Sequence, residues 1–254
     1  MILLIDIGNT LTKIAYGDET KQNVSFHKAV ATNEKYWEKI MQKIVISKKK
    51  QVTDVVICSV VPKKLQIINK IVRVNLKLRP LIINFAILKM LPLKVETKYK
   101  QLGSDLIALA IASQQQFGSA ITISLGTATT YVTIKDDTLK GVIIGPGFTS
   151  AKLALAQAAA QIKSFKIAKY QSVLGNSTNH ALSIGYGNGF NYMINETIKA
   201  TNQELKNNLK VVVTGGGFSE LQPFLTFKYE HHDNLVLQGL IIIYQLLKKN
   251  NKLK

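Results

Sequence analysis

The feature that most limits how this chain can fold is a turn that it makes twice. MILLIDIGNTLTKIAYGD opens the sequence, and AITISLGTATTYVTIKDD stands at 120–137. Each is an apolar run that stops at a short polar residue, a glycine and a threonine, then resumes as a second apolar run. Apolar, β-branched stretches on both sides of a glycine predict a strand, a tight turn and a second strand. The polar residue before the turn is Asp6 in the first copy and Ser124 in the second. A third strand is expected after each pair, at VSFHKAV and at LKGVIIG. A repeat of this kind predicts two domains of one plan, 1–118 and 119–254.

The segments that follow each meander alternate helix and strand. NEKYWEKIMQKIVIS carries apolar residues at helical spacing, with Trp37 as a packing anchor. DVVICSVV reads as a strand buried on both faces. A Lys-rich helix after Pro62 and a strand at PLIINFA come next, then a helix over 104–116 with Ser104 as its cap and Gly118 as its stop. In the second half, SAKLALAQAAAQI and NHALSIGYGNGFNYMINETIKAT read as helices. KVVVTGGG reads as a strand running into a glycine loop, and a last apolar helix starts at Leu235.

Composition narrows the function. The chain has 254 residues, of which 46% are hydrophobic, enough for two moderate cores. Its longest apolar runs, DVVICSVVP and NLVLQGLIIIYQLL, fall short of the roughly 20 residues that span a bilayer. An acid at position 6 and no preceding basic residues argue against a secretory leader. The single cysteine, Cys58, sits inside an apolar run, which suits a buried strand thiol and a reducing cytoplasm. The net charge of +18 comes almost wholly from scattered lysines, with Arg73 and Arg79 the only arginines. Base readout and planar phosphate recognition favour arginine, so neither nucleic acid nor membrane is expected as a partner.

The chemistry lies in the turns. In IDIGNT a carboxylate at a strand end meets a glycine that allows close backbone approach, and Thr10 adds a hydroxyl. Such a turn suits a phosphate, with Asp6 towards the metal that bridges phosphates, and it equally suits an ordinary hairpin. SLGTATT crowds Thr127, Thr129 and Thr130 beside Gly126, and VVVTGGGF adds a glycine loop after a buried strand. His231-His232-Asp233 reads as a polar loop before the last helix rather than as a metal site.

DIGNT at 6–10, SVVP at 59–62, GSD at 103–105, GTATT at 126–130, IGPG at 144–147, the Ser177-Thr178 pair and TGGG at 214–217 occur in order along the whole chain. Together they resemble type III pantothenate kinase, within the acetate kinase/sugar kinase/Hsp70/actin superfamily. The resemblance implies an α/β fold of two actin-like (ribonuclease H-like) domains with a nucleotide cleft between them. It implies ATP-dependent phosphorylation of pantothenate, with Mg2+ accompanying ATP. By the same resemblance Asp6, Ile7, Gly8, Asn9, Thr10, Leu11, Thr12 and Lys13 form the phosphate-binding turn, Thr127 is a second ATP contact and Gly215 to Gly217 line the nucleotide side. Gly103, Ser104, Asp105 and Leu106 form the substrate segment, with Asp105 the general base, and Thr178 contacts pantothenate. A potassium or ammonium ion would sit at Ser124, and a homodimer would bind pantothenate near its interface.

Three positions depart from the family pattern. Leu106 replaces an arginine, Ser124 an aspartate and Val132 an acid. Loss of a charge-assisted hydrogen bond at position 106 would weaken pantothenate binding roughly tenfold to a hundredfold, unless Lys98 or Lys100 supplies a cation. Tyr99 is a further candidate for substrate contact. The same losses leave two alternatives open: a catalytically impaired homologue with a regulatory role of the Bvg accessory factor type, or a kinase for another small alcohol.

Overall fold

A computed structural model describes residues 1–21, 24–96, 102–162 and 165–250. Strands β1 (Ile2–Ile7), β2 (Leu11–Gly17) and β3 (Val24–Ala31) form an antiparallel meander. Helix α1 (Trp37–Ser47), β4 (Asp54–Ser59), α2 (Pro62–Leu76), β5 (Leu81–Ile82), α3 (Phe85–Leu88), β6 (Lys94–Val95) and α4 (Ser104–Phe117) follow. Next come β7 (Ala120–Leu125), β8 (Ala128–Lys135), β9 (Thr138–Pro146), α5 (Phe148–Ala158) and α6 (Thr178–Ser183). A π-helical turn, Ile184–Asn188, joins α6 to α7 (Gly189–Glu204). Strand β10 (Lys210–Thr214), α8 (Phe218–Leu221), a 3₁₀ turn, β11 (Glu230–His231) and α9 (Leu235–Lys249) complete the chain.

The chain divides into two compact units. The first comprises Met1–Gly118, Ile134–Lys140 and Asn234–Lys254. Its sheet has the order β3-β2-β1-β4-β5, with β4 parallel to β1. The two faces of this sheet are both covered, which is why β1 and β4 read as nearly continuous apolar runs. On one face Leu3, Ile5, Ile7, Val55 and Ile57 pack against Trp37, Met41 and Val45 of α1 and Ile68 and Val72 of α2. On the other lie α4 and α9. A Cβ on Gly239 would come within 2.0 Å of the Ala108 carbonyl oxygen, so these two helices touch backbone to backbone.

The sequence reading placed the last helix in the second half, but it packs in the first unit. An almost wholly apolar helix, LVLQGLIIIYQLL, needs cover all round, and α4 with the β1–β4 face provides it. Two further expectations need correction. PLIINFA forms only the two-residue β5 before the Asn84 side chain accepts from Ala86 N and Ile87 N and starts α3. Gly103, not Ser104, caps α4; Ser104 is its first helical residue and its hydroxyl is used elsewhere.

The second unit comprises Ser119–Thr133 and Gly141–Asp233. Its strand β10 runs parallel to β7. Phe148, Phe190, Ile194, Phe218 and Phe224 form its core against Ile121, Ile123, Val211 and Val213. The expected repeat is visible in backbone detail. Gly8 N donates to Leu11 O at 3.0 Å in the first unit, and Gly126 N donates to Ala128 O at 3.0 Å in the second. Asp6 lies beside Cys58 of a parallel neighbour, as Ser124 lies beside Thr214.

Candidate functional site

In the first unit the strand register assembles a row of side chains at the carboxyl end of β1. Lys13 is directly opposite Asp6 on the antiparallel neighbour β2, and Cys58 is directly opposite it on the parallel neighbour β4. Directly opposed residues point to one face of a sheet. The Cys58 thiol donates to Asp6 Oδ1 at 3.2 Å. Burial, more than anything else, pushes the Asp6 carboxyl up to about 6; the Cys58 hydrogen bond and the Lys13 ammonium pull it down, and the Asp105 charge adds a further upward push. Burial and then the Asp6 charge hold the Cys58 thiol well above its ordinary value, so it serves as a proton donor at neutral pH.

Asp105 reaches this row from the start of α4. The Ser104 hydroxyl accepts from Ser59 N at 2.9 Å and donates to Ser59 O at 3.0 Å, and Ser59 is the residue after Cys58. The end of β4 and the first turn of α4 are thereby fastened together. Asp105 Oδ1 accepts from Leu106 N at 2.9 Å, and a Cβ on Gly103 would meet that same oxygen at 2.6 Å. Glycine at 103 is what leaves room for the carboxylate. Burial raises the Asp105 carboxyl, opposed by the backbone N–H groups of Leu106 and of Asp105 itself. Two carboxylates, both raised chiefly by burial, thus sit close enough in one unit for the Asp105 charge to shift Asp6.

The predicted phosphate turn is only partly as expected. Asn9, Thr10 and Leu11 are exposed and Lys13 is half-buried. Gly8, by contrast, spends its N–H inside the turn on Leu11 O. Ile7 is buried in the core. Thr12 is also fully buried: it faces the core of the sheet's other side, where Trp37 Nε1 donates to its hydroxyl at 2.9 Å. Thr12 therefore supports the turn from the core side. Leu106 is buried at 9% exposure and offers only its backbone N–H. Lys98, Tyr99 and Lys100 lie outside the described residues.

In the second unit three glycine elements converge on the end of β7. A Cβ on Gly147 would stand 2.1 Å from Thr127 O, which also accepts from the Ser150 hydroxyl at 2.9 Å. Gly215 has φ +104, and a Cβ there would lie 2.5 Å from Leu125 O; Gly217 N donates to that oxygen at 2.9 Å. Bare backbone from the GTATT, IGPG and TGGG motifs thus lies together, with Thr127 exposed at the rim. Thr129 is buried and its hydroxyl donates to Pro146 O at 2.8 Å. Ser124 is half-buried and Val132 fully buried. Thr178 is exposed as the first residue of α6, after the Ser177 side chain that caps it. His231 stacks on Phe218 with ring centroids 3.7 Å apart.

Sequence reading missed Cys58 as a neighbour of the site. Its apolar surroundings signalled burial, but nothing local signals which carboxylate a strand thiol will face.

Comparison with known proteins bears on the family of the chain. The sequence profile of the family described as type III pantothenate kinase matches residues 2–200. A type III pantothenate kinase of Mycoplasma mobile is 32% identical over 250 residues, spanning 98% of this chain and 100% of its own. Another, from Acholeplasma laidlawii, is 31% identical over 258 residues, spanning 99% and 100%. Among solved structures, a conserved protein of Campylobacter jejuni assigned to the Baf family of transcriptional activators aligns with a TM-score of 0.63 at 19% identity, covering 99% of this chain and 100% of that one. Component A of (R)-2-hydroxyglutaryl-CoA dehydratase from Acidaminococcus fermentans aligns at 0.56 and 13%, covering 98% of each chain. These two structures share the two-domain actin-like fold with this chain.

Proposed function

The chain belongs to the type III pantothenate kinase family, and for that family's reaction, ATP-dependent phosphorylation of pantothenate at the head of coenzyme A biosynthesis, we propose that Asp105 is the general base and Asp6 the group that faces the phosphates and their metal. The observation that supports this reading is the pair of raised carboxylates at the end of β1 and the start of α4, where burial lifts both and the Asp105 charge lifts Asp6 further. Phosphoryl transfer asks a protein mainly for positioning and charge, with one group to take the hydroxyl proton. Asp105 has the attributes of that group. Its carboxyl is lifted towards the working pH, it is oriented by Leu106 N, and Ser104 fastens its helix to the strand beside Asp6. The pantothenate hydroxyl gives its proton to the Asp105 carboxylate as its oxygen bonds to the terminal phosphorus of ATP, and the bond from that phosphorus to the bridging oxygen breaks so that ADP leaves with the electron pair.

ATP reaches the family's reaction with a divalent cation, and the residues present fit one. Asp6 is a hard oxygen donor whose carboxyl is raised chiefly by burial and further by the Asp105 charge, and a cation beside it would offset both. Mg2+ is the ion we propose, held by Asp6 together with substrate phosphates; it supplies neutralisation of phosphate charge. In the first unit we propose Thr10 and Lys13 as nucleotide contacts; in the second unit we propose Thr127 and the glycine backbone at 215–217 as nucleotide contacts and Thr178 as a pantothenate contact. At the monovalent-cation position Ser124 offers a neutral hydroxyl, so we propose a kinase with little dependence on potassium or ammonium.

We also propose a cytoplasmic homodimer. Among the described residues no helix is long and apolar enough to cross a membrane. The second unit leaves Ile144, Leu153, Val173, Leu174 and Tyr192 exposed, and α5, despite the sequence FTSAKLALAQA, buries only Phe148. An apolar helix so little covered suits a second copy of the chain. Light scattering should give about twice 28.1 kDa.

The test of the catalytic reading is ADP release with Mg-ATP, with and without pantothenate, for the native chain and Asp105→Asn. Loss of about a hundredfold to ten-thousandfold in pantothenate-dependent turnover, with nucleotide binding retained, is expected for a missing base. Turnover that survives the substitution would remove Asp105 from that role.

A further inference from the structure

Thr32 belongs to none of the motifs, yet it is 4% exposed and makes three hydrogen bonds beneath the 8–11 turn. Its hydroxyl donates to Gly8 O at 2.8 Å, and its backbone N–H donates to Thr10 O at 2.9 Å. A hydroxyl has one proton. With that proton spent on Gly8 O, the 3.1 Å contact between the Thr12 and Thr32 hydroxyls must run from Thr12 to Thr32. Thr12 in turn accepts from Trp37 Nε1–H at 2.9 Å. The protons are therefore ordered along a single chain: Trp37 to Thr12, Thr12 to Thr32, Thr32 to Gly8.

The consequence falls on one peptide plane. In a planar trans peptide the N–H points opposite to the C=O, so drawing the Gly8 carbonyl down onto Thr32 turns the Asn9 N–H the other way, towards the exposed side of the turn. Glycine at 8 lets that plane rotate more freely than any other residue would. Rotated over, it would present a carbonyl oxygen where a phosphate oxygen is to bind.

We infer that Thr32, backed by Thr12 and Trp37, is a positioning residue that locks the Gly8–Asn9 peptide with its N–H facing the nucleotide phosphates. This rests on the reading of 6–13 as the phosphate turn. It also gives Thr12 a role in nucleotide binding while leaving it out of contact with the nucleotide.

The test is steady-state kinetics on four variants, each with a thermal midpoint. Thr32→Val keeps the shape and removes the hydroxyl; KM for Mg-ATP should rise about tenfold with KM for pantothenate unchanged, and Thr32→Ser should restore it. Thr12→Val should have a smaller effect. Trp37→Phe, which loses the most packing, should lower the thermal midpoint most and raise the nucleotide KM least. Nucleotide KM values that follow the order of thermal stability, or a Thr32→Val enzyme with unchanged KM for Mg-ATP, would overturn the inference. Should Thr32→Val not fold, Thr12→Val against Trp37→Phe carries the same comparison. Equilibrium binding of Mg-ATP to two further variants, Asp6→Asn and Thr10→Ala, tells the two readings apart. If they leave nucleotide affinity intact, the phosphate turn itself is refuted; if they weaken it and Thr32→Val does not, only the positioning role falls.

Discussion

Asp6→Asn should make the protein more stable at neutral pH while stopping its turnover. In the folded chain the Asp6 carboxyl is raised from its ordinary 3.8 to about 6, by burial first, against the Cys58 hydrogen bond and Lys13. The folded state holds this proton more tightly than the unfolded chain does. The resulting stabilisation is complete below pH 3.8 and is lost as the pH rises through 6. A shift of about 2 units corresponds to about 3 kcal/mol, all of it lost by pH 7.5. Asparagine has the same shape, carries no charge, and its Oδ1 can still accept from the Cys58 thiol. Urea unfolding at several pH values between 4 and 7.5 is the assay. The native chain should lose up to about 3 kcal/mol relative to Asp6→Asn across that interval, and at pH 7.5 the variant's thermal midpoint should lie higher by roughly 6 °C or more. A stability difference that does not change with pH, or an asparagine variant less stable than the native chain at pH 7.5, would refute the account of Asp6 as an undercompensated buried charge.

Two other outcomes follow from particular contacts. Gly239→Ala places a Cβ against the Ala108 carbonyl and should destabilise the first unit by about 1–3 kcal/mol, read as an earlier urea midpoint, because neither helix backbone can yield as a side chain would. Ser124→Asp should make turnover depend on potassium or ammonium, and the native chain should be nearly indifferent to them, checked by replacing potassium with a large organic cation in the ADP-release assay.

Much of this arrangement was legible in the sequence because it depends on local pattern. The strands at 2–7, 11–17 and 54–59 announce themselves by apolar runs, and the turns by glycine, so the doubled plan could be read from residues alone. What could not be read depends on which strand lies beside which. Cys58 faces Asp6 because β4 pairs in parallel with β1 at one register, a relation between residues far apart in the chain. Thr12 looked like a phosphate contact by its place in the motif, but strand alternation turns it to the opposite face from Asp6 and Lys13. Ser104 looked like a helix cap because serine usually is one. Its hydroxyl instead serves the end of β4, a partner that no local rule reveals. PLIINFA failed for a local reason: Asn84, in the middle of the run, starts a helix as soon as its side chain can reach two backbone N–H groups.

The return of α9 to the first unit sets an order on biosynthesis. The chain leaves that unit at Gly118, rejoins it briefly over Ile134–Lys140 and supplies α9 only after Asn234, so the ribosome must add about 115 residues before α9 can meet α4. At usual elongation rates that wait is on the order of ten seconds. Throughout it, the apolar flank of α4 and the part of the β1–β4 face that α9 covers stay open, and by its end every residue assigned to the second unit has been synthesised. The domain that begins first finishes last. A nascent chain in this state exposes Ala108 and its neighbours to chaperones, and a message cut short before codon 235 would yield a protein whose second unit can close around its own core while its carboxylate pair has no settled floor to stand on.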